Sequence, residues 1–261
     1  MIGLKAAKRN GIKIIGAIVI NDTKLKKDLL DKFDDDYFGS TPADDKKILN
    51  KVGKVNVGWN INYLKTLPKV GAIIDVGAAD DFPSLHDSMP NTFSFLIDAN
   101  EKYIEKYEEY LKTKQGDYYI GAVGEHEKTV QYTHYVDKPY LSTIESRQDS
   151  LDSRVELIDL QMKKLDQIVP FDKCENGVLL KIDIEGSEIP ALKGASKLLE
   201  KTKVVICECS LDAEFPGGEN FTEIFNILLQ KGFKLKDIIR APRLHHNTYP
   251  AQIIDAVFEK K

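Results

Sequence analysis

From Val70 onward the chain alternates short, continuously apolar runs with helical stretches, and this alternation constrains the fold more than any other feature. The runs cover residues 72–76, 93–97, 118–123, 177–184 and 203–209. Each is short and rich in Val, Ile and Leu, the pattern of strands buried on both faces. Between them lie a charged helix over 103–111, an apolar stripe of Ile189, Leu192, Leu198 and Leu199, and a helix over 221–230. Gly232 suits a left-handed cap closing the last of these. Ser187 stands at the N-cap position of the striped helix, with Pro190 in its first turn. Strands separated by helices predict an α/β fold with a mostly parallel sheet covered on both sides. The last two strands, 234–239 and 253–258, have only the loop 241–251 between them. They should therefore pair antiparallel and complete a seven-stranded sheet. Residues 128–135 alternate as a strand outside this wound core, and 155–160 is a further strand candidate.

The first seventy residues differ in texture. Three helical candidates, 24–38, 44–51 and 61–67, accompany an acidic run, Asp34-Asp35-Asp36, that reads as solvated surface. The expected organisation is an N-terminal helical appendage over 1–69, a lid or a dimer contact, and a Rossmann-like domain over 70–261. A length of 261 residues with 42% hydrophobic and 30% charged content fits one large α/β domain with additions. The net charge of −4 argues against nucleic acid as a partner. Cys174, Cys207 and Cys209 form no framework of even spacing, which points to a reducing compartment. Cys207 and Cys209 stand two apart on one face of a strand and read as buried thiols. The apolar stretch 12–20 is interrupted by Lys13, falls short of a bilayer span and precedes no cleavage site. The expectation is a cytoplasmic protein with no membrane partner.

In a doubly wound sheet, ligands bind beyond the carboxyl ends of the strands, where the strand order reverses. Asp75, Asp98 and Asp183 fall at such ends. Asp75-Val76-Gly77-Ala78-Ala79 is a small-residue turn that lets a ligand approach the backbone. It is not a dinucleotide fingerprint, because Asp80 and Asp81 replace the later glycines and would repel a pyrophosphate. Asp98, about twenty residues further on, fits an acid that accepts from ribose hydroxyls. Its alternative role is to cap the helix that follows Ala99. Among the five histidines, His245-His246 lies beside Arg243 in the loop before the last strand, and His126 and His134 flank the added strand. Each is a candidate base or acceptor contact, although a solvated loop histidine is the commoner case. There is no Ser-His-Asp order, no metal-spaced Cys/His cluster, and no Asn/Asp-Pro-Pro-aromatic tetrapeptide of the nucleobase amino-methylases.

The most specific segment is Leu180-Lys181-Ile182-Asp183-Ile184-Glu185-Gly186-Ser187-Glu188, followed by Ala191-Leu192-Lys193-Gly194-Ala195. It resembles the signature of the FkbM-type S-adenosylmethionine-dependent methyltransferases. Asp75-Val76-Gly77-Ala78, the acid at 98, Gly121-Ala122-Val123-Gly124 and Glu208 follow in family order, and the resemblance runs from about Val70 to the C-terminus. The chain departs at Ala79-Asp80-Asp81, where the family usually has Asn then Gly, and at Asp98-Ala99, where Glu-Pro is common. The resemblance implies a class I methyltransferase that uses S-adenosyl-L-methionine to methylate an oxygen, often a hydroxyl of a sugar, nucleotide-sugar or glycan. Asp75, Gly77, Ala78, Asp98, Ala99, Ala122 and Val123 would then hold the cofactor. Asp183 and Glu185 would serve the acceptor, by taking its proton or holding it in line with the methyl group. Alternatively, Asp183 and Glu208 would share a divalent cation, magnesium or manganese, that lowers the acceptor's pKa. The competing readings are a nicotinamide-dependent oxidoreductase and a non-catalytic relative acting as a binding module. A homo-oligomer is compatible with the helical N-terminus.

Overall fold

The computed structural model describes residues 61–80, 82–139, 142–145, 154–211, 221–240 and 253–260. The appendage expected over 1–69 lies outside them up to residue 60, as do Asp81 and the His245-His246 loop. The described residues form ten strands: β1 (Ala72–Val76), β2 (Phe93–Asp98), β3 (Gly116–Ile120), β4 (Ala122–Val123), β5 (Lys128–Tyr135), β6 (Val155–Lys163), β7 (Val178–Ile182), β8 (Thr202–Ser210), β9 (Phe233–Arg240) and β10 (Ile253–Lys260). Seven make one sheet in the order β3-β2-β1-β7-β8-β10-β9. Its pairings are parallel except at β10, which runs antiparallel to both β8 and β9. The predicted sheet and its reversed final strand are both present. Strand order reverses at β1, which lies beside both β2 and β7, so the crevice for a ligand opens at the carboxyl ends of these strands.

Every residue of β1 and β7 is buried, as strands covered on both faces require. Seven helices are described: α1 (Ile61–Leu64), α2 (Pro83–Ser88), α3 (Ile104–Leu111), α4 (Leu165–Ile168), α5 (Glu188–Lys193), α6 (Ser196–Lys201) and α7 (Phe221–Gln230). Ile74, Val76, Leu180 and Ile182 pack on one side with Leu192, Leu198 and Leu228 of the last three helices. Ile73 and Leu179 turn to the other side, into a cluster with Leu64, Leu67 and Leu85. Among the described residues, no helix is long and apolar enough to cross a membrane.

Three local expectations need correction. The strand expected over 118–123 breaks at Gly121, whose φ of +155° turns the chain while its amide donates to the Asp98 carbonyl at 2.8 Å. Ala122 and Val123 therefore leave the main sheet and join a second sheet of three strands, in the order β4-β6-β5. The helix expected after Ser187 is two helices, because Gly194 lies so close to Gly124 that a Cβ there would sit 2.2 Å from the Gly124 carbonyl oxygen. Asp166 of α4 caps the second helix, accepting from the amides of Lys197 and Leu198 at 2.9 Å each. Ser187 does occupy the N-cap position, but its hydroxyl donates to Glu145 Oε1 at 3.0 Å instead of accepting from the helix.

Gly77 decides how closely β1 and β7 approach at the crevice. Its φ is +75°, and a Cβ there would lie 1.8 Å from the Asp183 carbonyl oxygen. Any side chain combines left-handed strain with a clash against backbone. Gly77→Ala should cost roughly 2–5 kcal/mol of stability in urea unfolding. A loss below about 1 kcal/mol would mean that the two strand ends separate freely.

Candidate active site

In the parallel register of β1 and β7, Asp75 stands directly opposite Lys181. The alternation that sends Ile74 and Leu180 to one face sends Asp75 and Lys181 together to the other. Both are buried, at 1% and 4% exposure. The Lys181 ammonium lies 3.3 Å from Asp75 Oδ1 and 3.7 Å from Asp183 Oδ2, and it donates to the Gly77 carbonyl at 2.6 Å. One side chain thus touches the first strand, the loop after it and the acid after the fourth core strand. On its other side Asp75 Oδ2 meets His86 Nε2 of α2 at 3.1 Å, and His86 Nδ1 meets Ser94 Oγ at 2.8 Å. Burial alone would raise the Asp75 carboxyl, but the charge of Lys181 and the bond from His86 overcome it and hold the pKa below the usual carboxylate range.

Asp98 ends β2 under different conditions. Its Oδ2 accepts from the Ala79 amide at 3.0 Å, and its Oδ1 accepts from the Asn100 amide at 2.8 Å. The Tyr107 hydroxyl reaches Oδ2 at 3.4 Å. Ala79 holds a φ of +45°, so the loop turns back over the carboxylate with a residue other than glycine in the left-handed region. Burial is the dominant influence and raises the pKa to about 6, against the lowering effect of the donated hydrogen bonds. The cap of the following turn is Asn100, whose Oδ1 accepts from the Lys102 amide at 3.2 Å.

Asp183 and Glu185 sit in the turn after β7, and Glu208 lies near the end of the neighbouring β8. All three are half-buried, and one carboxylate oxygen of each falls within 4.8 Å of the others. Asp255 of β10, buried with 1% exposure, pairs in register with Glu208. Glu185 adopts a φ of +54°. The turn is held from both sides. Glu188 Oε1 accepts from the amides of Ile184 at 3.0 Å and Gly186 at 3.3 Å, while Thr143 donates to the Glu185 carbonyl at 2.7 Å. Thr143 follows β5 and is bridged to Thr133 of that strand, so the added sheet reaches across to the acidic turn.

The remaining expected residues fall around this crevice. Ala78 is fully buried in a cluster with Phe82, Leu96 and Tyr107, and its amide donates to the Ile97 carbonyl. Ala99 is half-buried beside Asp98, and Ala122 and Val123 are buried in β4. Cys207 and Cys209 pack in the core as free thiols. Asp80 is exposed and paired with Lys106 at 2.8 Å. Sequence reasoning missed Lys181, His86, Glu188 and Thr143 as supports of the site. Of these, Lys181 and Glu188 stand in the signature segment, and Lys181 is further marked as a charge at an inward position of an otherwise apolar strand. Replacing it by Met leaves Asp75 buried without its cation, so Lys181→Met should cost about 3–5 kcal/mol at neutral pH. A depressed carboxyl stabilises the fold above its unfolded pKa of about 3.9, and that contribution fades as pH falls through the lower folded value. The variant lacks this contribution, so its deficit in urea unfolding should narrow on acidification. A deficit independent of pH would assign the loss to packing alone.

The family model described as the methyltransferase FkbM domain matches residues 75–235, a span that holds the end of β1 from Asp75, all of β7 and β8, and the acids Asp98, Asp183, Glu185 and Glu208. A search of the curated proteins found no significant match. Among solved structures, the chain is similar to OxaC in complex with SAH and oxaline, at 9% identity and a TM-score of 0.39 over 79% of this chain, and it spans 46% of that one. It is also similar to magnesium protoporphyrin IX methyltransferase (ChlM) from Synechocystis PCC 6803 with bound SAM, at 12% identity and a TM-score of 0.40 over 93% of this chain and 100% of that one. A third is a TehB-like SAM-dependent methyltransferase from Corynebacterium glutamicum, at 12% identity and a TM-score of 0.38 over 84% and 96% of the two chains. With the family model covering well over half of its length, this chain belongs to the FkbM methyltransferase domain family.

Proposed function

We propose that the chain is an S-adenosylmethionine-dependent O-methyltransferase acting on a hydroxyl of a sugar, nucleotide-sugar, glycan or similar small molecule. The observation that carries the reading is the placement of two unlike sets of acids across the β1–β7 switch point. Asp98 is on the side of the Gly77 loop, and Asp183 and Glu185 are on the side of β7. The crevice fits the cofactor. Asp98 is a buried carboxylate that touches no cation among the described residues. The Ala79 and Asn100 amides take two of its roughly four acceptor positions, and the Tyr107 hydroxyl reaches a third only at 3.4 Å. That leaves one position for a ribose hydroxyl and a second where the long contact yields. Gly77, half-buried in the loop after β1, is the proposed backbone contact beside this carboxylate. Bound there, S-adenosylmethionine would supply a methyl group already activated on a sulfonium.

The protein's own task is then to orient an acceptor hydroxyl and remove its proton. Asp183, half-buried at the strand end, is the proposed proton acceptor, with Glu185 holding the acceptor beside it. The cluster of Asp183, Glu185 and Glu208 also has the hard oxygen donors that suit magnesium or manganese, which would lower the pKa of the acceptor hydroxyl. Chelation separates these roles. If activity is lost in EDTA and restored by either ion, the cation reading holds; if EDTA has no effect, Asp183 acts directly. In either case Asp183→Asn should reduce turnover by about two to four orders of magnitude with little change in cofactor binding. A variant with near-normal turnover would remove Asp183 from the mechanism.

Cofactor binding is tested through Asp98. Asp98→Ala should weaken S-adenosylhomocysteine binding by roughly 1.5–3 kcal/mol in calorimetry. Ribose hydroxyls donate to the ionised carboxylate, so affinity in the wild type should fall as pH drops below about 6. Binding below that pH should release a proton. Thermal shifts with NAD in place of S-adenosylhomocysteine test the oxidoreductase reading, since stabilisation by NAD alone would favour it.

A further inference from the structure

The chain carries a half-buried histidine beside the crevice that the proposed reaction does not use. His134 lies on β5, whose sheet stands where the main sheet ends after Gly121. Its Nδ1 lies 3.4 Å from Asn100 Nδ2 and 3.3 Å from Ser142 Oγ. Asn100 is two residues beyond Asp98, and its own amide donates to that carboxylate at 2.8 Å. The histidine is therefore one side chain removed from the acid proposed to hold a ribose. Its ring stacks on Tyr132 with centroids 6.2 Å apart and an interplanar angle of 16°. Tyr132 is buried, and its hydroxyl pKa is raised first by that burial and then by the charge of Asp98, which places the Asp98 field at this pair.

The hydrogen bonds around Asn100 determine which nitrogen of His134 carries the proton. Asn100 Oδ1 accepts from the Lys102 amide at 3.2 Å, so the atom turned to the imidazole is the donor Nδ2. Ser142 Oγ accepts from the Tyr135 amide at 3.0 Å and can either give or take at Nδ1, so it is compatible with this arrangement and Asn100 decides it. Asn100 therefore offers a hydrogen to Nδ1, and the neutral ring bears its own hydrogen on Nε2. Among the described residues Nε2 makes no hydrogen bond. A stacked ring with its tautomer set from one end and a free donor at the other is a pre-organised contact for an acceptor atom.

We propose that His134 donates from Nε2 to an acceptor nitrogen or oxygen of a bound purine nucleoside, the adenosyl part of the cofactor. This rests on the cofactor proposed above. Asn100, Ser142 and Tyr132 act as positioning residues, holding the imidazole without touching the ligand. The contact belongs to the nucleoside because His134 reaches the site through the residues that follow Asp98, on the ribose side of the switch point.

Calorimetry with S-adenosylhomocysteine and with adenosine tests the inference, using wild type, His134→Phe and His134→Gln. Phe keeps an aromatic ring on Tyr132 without a donor, and Gln supplies an amide donor of similar reach. One neutral hydrogen bond corresponds to about a three- to tenfold loss of affinity, so His134→Phe should weaken both ligands by that factor. His134→Gln should recover most of the loss. A long-range nitrogen–proton NMR spectrum of the wild type should show the Nε2-protonated ring, with Nε2 shifting when either ligand is added. Because that measurement needs no variant, it stands even if the substitutions unfold the protein. Unchanged affinities and an unmoved Nε2 signal would overturn the inference and leave the cofactor reading intact. Loss confined to S-adenosylhomocysteine would place the contact on the amino-acid end and overturn the nucleoside assignment. A wild type that binds neither ligand would refute the methyltransferase reading itself, and this contact with it.

Discussion

The interaction on which the rest of the crevice depends is the buried pair of Asp75 and Lys181. Withdrawing two such charges from water costs several kcal/mol for each, and their mutual attraction returns that only with good geometry and further hydrogen bonds. Those bonds are present. Lys181 also donates to the Gly77 carbonyl, and Asp75 also meets His86, whose second nitrogen meets Ser94. The pair lies between β1 and β7, the two strands at which the order of the sheet reverses. A charge pair at this position does what an apolar pair could not, because it ties a loop carbonyl and an acidic strand end to the same ammonium.

From this tie the shape of the crevice follows. With the Gly77 carbonyl drawn to Lys181, the loop after β1 must pass against the Asp183 carbonyl, and only a residue without Cβ fits there. The next residues then lie over the end of β2, with the amides of Gly77 and Ala78 donating to the Ile97 carbonyl at 2.9 and 3.1 Å. That course delivers the Ala79 amide to Asp98. On the opposite side, Glu188 folds back onto the amides of Ile184 and Gly186, doing for the β7 turn what Asp98 does for the loop after β1. The added sheet closes the third side, since Thr143 and Glu145 reach the Glu185 carbonyl and the Ser187 hydroxyl.

The sheet was legible because its cause is local. Ala72–Val76 and Val178–Ile182 are apolar at every position but Asp75 and Lys181, and all five residues of each are buried. The helix over 221–230 and its closing glycine were legible for the same reason, and Gly232 adopts a φ of +87°. What was illegible came from contacts remote in the chain. The break between α5 and α6 depends on Gly124 meeting Gly194 and on Asp166 capping a helix thirty residues downstream. The exit of Ala122 and Val123 into a second sheet depends on β6, with which β4 pairs in parallel. The acids at 75, 98 and 183 were visible as strand-end residues, but nothing in their spacing told which would receive a cation.

That distinction orders the site. Asp75, Asp98 and Asp183 are the same residue at the ends of three neighbouring strands, and their surroundings give them different properties. Asp75 has a lysine and a histidine, is sealed from solvent and is held as an anion, so its charge is spent within the protein. Asp98 has backbone amides but no contacting cation among the described residues, and burial lifts its pKa to about 6, so its ionised form is less stabilised than that of Asp75. Asp183 is 26% exposed, touches Lys181 only at 3.7 Å and shares its surroundings with two more carboxylates. A carboxylate whose needs are met by protein is scaffold, while one left short of donors or beside like charges is available to a ligand. By this criterion the proposed chemistry falls to Asp98 and Asp183, while Asp75 is held within the frame between them.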